Sequence, residues 1–195
     1  FLSGSPCLGL EGRALGGLFL PLVLLPGLGG EGGGILLLSL VEGFLCGVQG
    51  EGRKWTATFS QEALGVFDYL FTDAMTIIDH KGRNSRIYRP EEVHYDGVTK
   101  EQYMDHLVDQ TVKILTNEPA DIYANPTYLP DDMQADYDRY WTDARVDRVL
   151  DVLERYGIAL EINARYRIPS FGIIRRAKPV SYTHLRAHET KANIV

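Results

Sequence analysis

The chain has 195 residues, enough for one domain with its own core. Hydrophobic residues make up 45% and charged residues 24%, an ordinary balance for a globular protein. A formal net charge of -6 argues against a nucleic-acid binder, which needs a basic face. Phosphorylated small molecules stay open as ligands, because a few local arginines suffice for them.

Residues 1–42 read as a separate segment rich in Gly and Leu. The first fifty residues hold no Lys and no Asp, whereas from Arg53 onward the composition is that of a folded enzyme. Leu15 to Leu28 is apolar, but Pro21 and Pro26 interrupt it, and it falls short of the ~20 residues a spanning helix needs. It also lacks a basic start beyond Arg13 and a clean cleavage site, so no membrane or secretory segment is expected. Gly27-Leu28-Gly29-Gly30-Glu31-Gly32 has the spacing G-x-G-x-x-G. With a helix over 35–45 and Glu51 as ribose contact, that is a dinucleotide-binding fingerprint. In so glycine-rich a stretch the pattern also arises by chance, and the two prolines spoil the strand that should feed it. A disordered or misread start is the competing reading. Cys7 and Cys46 lie far apart and form no CxxC pair, so a reduced, cytoplasmic setting is expected.

Phe44 to Gln49 is a short apolar run of buried-strand type. It ends in Gly50-Glu51-Gly52-Arg53, which suits either a loop that approaches a ligand closely or a solvated turn. Ser60 opens a short helix to about Val66. Phe67 to Thr72 is an aromatic-rich strand, and Asp73 follows it directly. Asp79-His80-Lys81-Gly82-Arg83 reads as a turn with Asp79 and His80 exposed. The stretch from there to Gly97 reads as a lid or rim. Thr99 and Gln102 fit a capping box, and Met104, Leu107, Val108, Thr111, Ile114 and Leu115 recur at helical spacing. His106, among acidic neighbours, reads as a surface residue. Asn117 and Pro119 end this helix. Asp121 to Ala124 is a strand that Asn125-Pro126 stops. Tyr128 to Tyr140 reads as loop with a helical turn. Thr142 caps a second helix, with Val146, Val149, Leu150 and Leu153 on one face and Gly157 at its end. Ile158 to Ile162 is the next strand, and Ser170 caps a helix running toward Lys178.

Strands and helices alternate, which predicts an α/β protein with a mainly parallel sheet. Such a sheet is covered on both faces, as a barrel or a doubly wound sheet. Polar residues arrive together at successive strand ends, Asp73, Asn125 and then Glu161, Asn163 and Arg165. That favours the active face of a barrel.

From about Gly47 to Lys178, roughly two thirds of the chain, the sequence resembles the polymerase and histidinol phosphatase (PHP) superfamily. The resemblance is carried by Glu51-Gly52-Arg53-Lys54-Trp55, by Phe67 to Thr76 and by Glu161 to Pro169, strings similar to those of a bacterial branch. It implies residues 43–178 of a distorted, TIM-like β/α barrel. It also implies a cluster of divalent metal ions (zinc, manganese or iron) and phosphoester hydrolysis. Glu51 stands where the superfamily places a metal-ligating Glu. The superfamily usually has a ligand His where this chain has Met75, and often His-Pro where it has Asn125-Pro126. Thioether and amide are poor replacements for imidazole at such a site. The opening His-x-His and closing Asp-x-His strands are absent.

Ser181 to Thr190 resembles a peptide obtained when sequencing-adapter DNA is translated. Residues 179–195 are therefore expected to be a non-native tail after a chain cut near Lys178. On that reading His184 and His188 are not a zinc pair, although i and i+4 on a helix would suit one.

Three readings follow. The first is a PHP-like metal-dependent hydrolase of a phosphorylated small molecule. In it Glu51 and Asp73 are metal ligands, Arg53, Glu161 and Arg165 bind substrate, and Asp73, Asn125 and Asn163 serve the chemistry by orienting substrate or water. The second is a barrel without metals that binds a ligand, for which Met75 and Asn125 speak. The third is a nucleotide cofactor on Gly27–Gly32. Against all three stands a purely structural role for the strand-end residues, with Arg165 and Arg167 paired to Asp131, Asp132 or Asp136.

Overall fold

A computed structural model describes residues 22–23, 35–40, 45–50, 52–177 and 184–187, with side chains for 47–50 and 52–177. The strands are β1 (Leu22–Val23), β2 (Ile35–Leu40), β3 (Leu45–Gly50), β4 (Tyr69–Asp73), β5 (Thr76–Ile78), β6 (Asn84–Arg86), β7 (Ile122–Ala124), β8 (Ala159–Asn163) and β9 (His184–Ala187). The helices are α1 (Trp55–Thr58), α2 (Gln61–Leu64), α3 (Lys100–Asn117), α4 (Tyr137–Tyr140), α5 (Asp143–Tyr156) and α6 (Phe171–Ala177). Short 3-10 turns occupy Pro90–Glu92 and Asp131–Asp136.

One sheet has the order β1-β2-β3-β4-β7-β8-β9, and β5 and β6 form a separate antiparallel hairpin. From β3 to β9 every neighbour is parallel. The expected mainly parallel α/β sheet is therefore present. β2 is antiparallel to β3, where a helix over 35–45 was expected. Ile35 to Leu40 is a six-residue run with four leucines. Periodicity does not tell a buried strand of that length from a helix, and sheet pairing decided it. The fingerprint Gly27–Gly32 itself lies outside the described residues, but the helix it requires is a strand. His184 lies in β9, a strand, and His188 lies outside the described residues.

Register fixes which side chains share a face, because side chains alternate along a strand and bridge partners point the same way. Val48, Leu70, Thr72, Tyr123 and Leu160 face one way. That side packs against α3, α5 and α6, whose Met104, Leu107, Leu115, Val149, Leu153 and Ile173 join Tyr123 and Leu160 in the main core. Gln49, Phe71, Asp73, Ala124, Glu161 and Asn163 face the other way.

Ionic rungs tie the three helices together. Arg145 reaches Glu101 and Asp105, and Arg148 reaches Asp109, from α5 to α3. Arg176 reaches Asp143 and Asp147 from α6 to α5. The Arg145 side chain is itself 12% exposed, whereas the exposed Arg148 and Arg176 pairs contribute about 0 to 1 kcal/mol each. They set which helix faces meet more than they add stability.

The helix ends are legible in local chemistry. The capping box at Thr99 and Gln102 is complete. Ser60 caps α2 through its hydroxyl. Thr142 holds the cap position of α5, but its side chain makes no cap hydrogen bond. Gly157 closes α5 at φ 67° with open space around its α-carbon. Gly157→Ala is therefore expected to cost about 1 kcal/mol through backbone strain alone. A thermal midpoint lowered by about 2–4 °C checks it.

Three surface expectations are corrected. Asp79 is buried, because the hairpin turn closes on its carboxylate. His80 is partly buried, and both its ring nitrogens are enclosed without a partner among the described residues. His106 is half-buried and donates through Nε2 to the Ile78 carbonyl oxygen at 2.7 Å. The stretch after Arg83, expected as a lid or rim, carries regular structure. β6 pairs with β5, and Ile87 enters the core.

Candidate functional site

The C-terminal ends of β3, β4, β7 and β8 bring together the polar residues that the sequence singled out. Asp73 ends β4 and is 6% exposed. Its Oδ2 accepts from Gln49 Nε2 at 3.2 Å, and its Oδ1 accepts from the Met75 N–H at 3.0 Å. Arg53 Nη2 donates to the Asp73 carbonyl oxygen at 2.9 Å and lies 3.7 Å from Oδ1.

Arg53 spans the end of the sheet. Its Nη1 donates to Glu118 at 2.9 Å on the helix side, while its Nη2 serves Asp73 on the other. Glu118, at the end of α3, also accepts from Trp55 Nε1 at 2.9 Å and from Thr72 Oγ1 at 2.5 Å. The Trp55 ring lies against Gly50, where a Cβ would come within 2.4 Å of the ring. The glycine is required there by close approach. Arg53 is thus an internal cation, held by protein groups, with its Nε buried and unpartnered among the described residues. The sequence points Arg53 at a ligand and marks Glu118 only as an acidic residue at a helix end beside Pro119.

Across the sheet, Glu161 and Asn163 alternate on β8 and are each 5% exposed. Glu161 Oε2 accepts a short hydrogen bond from the Asn125 N–H, which joins the ends of β7 and β8. Asn163 Nδ2 donates to Asn125 Oδ1 at 2.7 Å. Asn163 Oδ1 accepts from the Tyr166 N–H at 3.1 Å. Asn163 and Ile168 also exchange backbone hydrogen bonds at 2.7 and 3.2 Å, so the loop between them is a closed clasp. Arg165, Tyr166 and Arg167 stand exposed on it. The Arg165 guanidinium lies 5.4 Å from the centre of the Tyr166 ring. The pairing of Arg165 and Arg167 with Asp131, Asp132 or Asp136 is not formed among the described residues, and Asp132 is taken by Lys100.

The backbone here is held in uncommon conformations. Asn125, Thr127 and Arg167 have φ of 45°, 63° and 57°. For a β-branched residue such as Thr127 this costs on the order of 1–3 kcal/mol and persists only where its surroundings enforce it. Here the Thr127 hydroxyl bonds the Tyr137 hydroxyl, and Trp141 Nε1 donates to the Thr127 carbonyl oxygen at 2.9 Å. Burial pushes the Tyr137 phenol up to about 12, outweighing the Thr127 hydrogen bond that lowers it. Burial, and then Asp131 and Tyr166, raises the Tyr128 phenol, so both stay protonated at neutral pH.

Metal capacity can be tested on these contacts. Both Asp73 oxygens already accept hydrogen bonds, and a guanidinium stands beside one. No group of three or more His, Cys, Asp or Glu side chains converges among the described residues. Met75 packs in the apolar core rather than at the strand-end face. Glu51, the other expected metal ligand, lies outside the described residues. No helix among the described residues is long and apolar enough to cross a membrane. Against family models, curated proteins and solved structures, the chain finds no match.

Proposed function

We propose that this chain is part of a PHP-like β/α barrel whose strand-end face binds a phosphorylated small molecule. The observation that carries the reading is the register. It gathers Gln49, Asp73, Glu161 and Asn163 on the face away from α3, α5 and α6. Strand order supports a barrel over a doubly wound sheet. β3, β4, β7 and β8 neighbour one another in chain order, with no reversal and with helices on one face. Arg165 and Arg167 are exposed cations on the β8 loop, and Arg165, beside Tyr166, suits a phosphate.

Two chemistries share the face. Binding without a metal would rest on Arg165 and on the open Asn125 Nδ2 beside the Tyr128–Tyr166 pair. Metal-dependent hydrolysis rests on Glu51 together with Asp73, and on the sequence resemblance. Elemental analysis of the full chain separates them. A folded, metal-free protein that binds inorganic phosphate is the expected result. Near-stoichiometric zinc, manganese or iron that Glu51→Ala abolishes would establish the hydrolase instead. A protein that holds neither metal nor phosphate would remove both.

A further inference from the structure

Asn125 and Asn163 are each followed three residues later by a tyrosine, Tyr128 and Tyr166. The fold turns this repeated Asn-x-x-Tyr into a paired structure. β7 and β8 are parallel neighbours in register, so their loops leave the sheet side by side. The two amides bond each other at 2.7 Å. The two rings meet edge to face, with centroids 5.4 Å apart and planes at 82°. The amide pair adjoins the ring pair, because the Tyr166 N–H donates to Asn163 Oδ1.

Both loops are pinned from behind, one by Tyr137 and Trp141 and the other by the Asn163–Ile168 clasp. The pair is rigid but not used up. Tyr166 stays 42% exposed. Asn125 Nδ2 donates to no group among the described residues. A rigid aromatic surface next to a free amide donor is a recognition surface, since little order is lost when a ligand docks.

We infer that the paired Asn-x-x-Tyr strand ends form a subsite for the part of the ligand that carries the phosphate, and that this part is a cyclic polyol. The ligand is then a sugar phosphate. The open Asn125 Nδ2 offers a donor to a hydroxyl oxygen. An exposed phenol ring offers an apolar face to the C–H side of a sugar ring. Arg165, beside Tyr166, meets the anion. The inference rests on the phosphate reading above.

Calorimetric titration of the full chain with glucose 6-phosphate, ribose 5-phosphate, glycerol 3-phosphate, adenosine monophosphate, inorganic phosphate and free glucose tests it. Glucose 6-phosphate is expected to bind tightest. Tyr166→Ala should weaken it about tenfold, leave glycerol 3-phosphate within about twofold, and be rescued by Tyr166→Phe. Arg165→Met should weaken every phosphorylated probe alike. Equal affinity for glucose 6-phosphate and glycerol 3-phosphate overturns the ring subsite and leaves the phosphate reading standing. So does a uniform loss in Tyr166→Ala. Free glucose binding as tightly as its phosphate overturns the phosphate reading and leaves the subsite. A preference for adenosine monophosphate over both glucose 6-phosphate and ribose 5-phosphate means that the rings read the base and overturns the sugar assignment, and silence from all probes overturns both.

Discussion

Glu118→Ala is expected to destabilise the protein by about 3–5 kcal/mol, the usual cost of stranding one partner of a buried ion pair. The Glu118 and Arg53 side chains are only 10% and 11% exposed. Without the carboxylate, Arg53 keeps its charge and its burial, and Trp55 Nε1 and Thr72 Oγ1 lose their acceptor. Glu118→Gln preserves shape and one acceptor oxygen, so its cost should be nearer 1–3 kcal/mol. Urea unfolding of both variants, with Arg53→Met to complete a double-mutant cycle, measures the coupling. A loss below about 1 kcal/mol in Glu118→Ala would mean that solvent reaches Arg53 and that the pair is a surface one. The consequence reaches the site, because the same guanidinium holds the Asp73 carbonyl oxygen. Mobile Asp73 signals in Glu118→Ala would report that connection.

Asp79 carries the second large effect. Its Oδ1 accepts from the backbone N–H of Lys81 and of Arg83, at 2.8 and 2.9 Å, inside the β5–β6 turn. Its Oδ2 accepts from Arg83 Nε at 2.7 Å. Asp79→Ala is expected to cost about 2–3 kcal/mol, from the loss of two turn hydrogen bonds and of the Arg83 pair with a buried carboxylate. Burial is the largest single influence on this carboxyl and raises its pKa. The hydrogen bonds from Arg83 and Lys81 and the Arg83 charge together outweigh it, so the net shift is downward. A carboxyl bound more weakly to its proton in the folded state stabilises the fold above its unfolded pKa, near 4. That contribution disappears as pH falls through the lower, folded value. Asp96, Asp132 and Asp147 are also shifted downward, and Glu92 with them, so they add to the same slope. Unfolding free energies measured from pH 6 downward should fall below about pH 4, with a shallower slope in Asp79→Asn. A slope unchanged by Asp79→Asn would place the acid sensitivity elsewhere.

The cases of Asp79 and Arg53 show where local reading stops. The pattern Asp-x-x-Gly-Arg names a turn, and Gly82 has the positive φ a turn requires. Nothing in it says that the carboxylate closes the turn from inside. Arg53 beside Glu51 looks like a ligand-binding pair. Its ion-pair partner in the fold, Glu118, lies 65 residues away, and the packing of α3 under β4 joins them. His106 departs from its expected surface position for the same reason. Its neighbours in sequence are acidic, but its neighbour in space is the Ile78 carbonyl oxygen.

What the amino-acid sequence determined by itself is local. It set the capping box at Thr99, the left-handed end of α5 at Gly157, the proline that stops β7 and the apolar stripes of α3 and α5. Their energetics lie within a few residues, so the pattern carries them. It also determined the parallel α/β class, since strands joined through helices pair in one direction. Tertiary structure decided the rest. It made Ile35–Leu40 a strand, because a short leucine-rich run takes its form from the partner it finds. It placed Asp73, Glu161 and Asn163 on one face, because that depends on register between strands. It set Asn125 against Asn163 and Tyr128 against Tyr166, because these contacts cross between loops that only the sheet brings together.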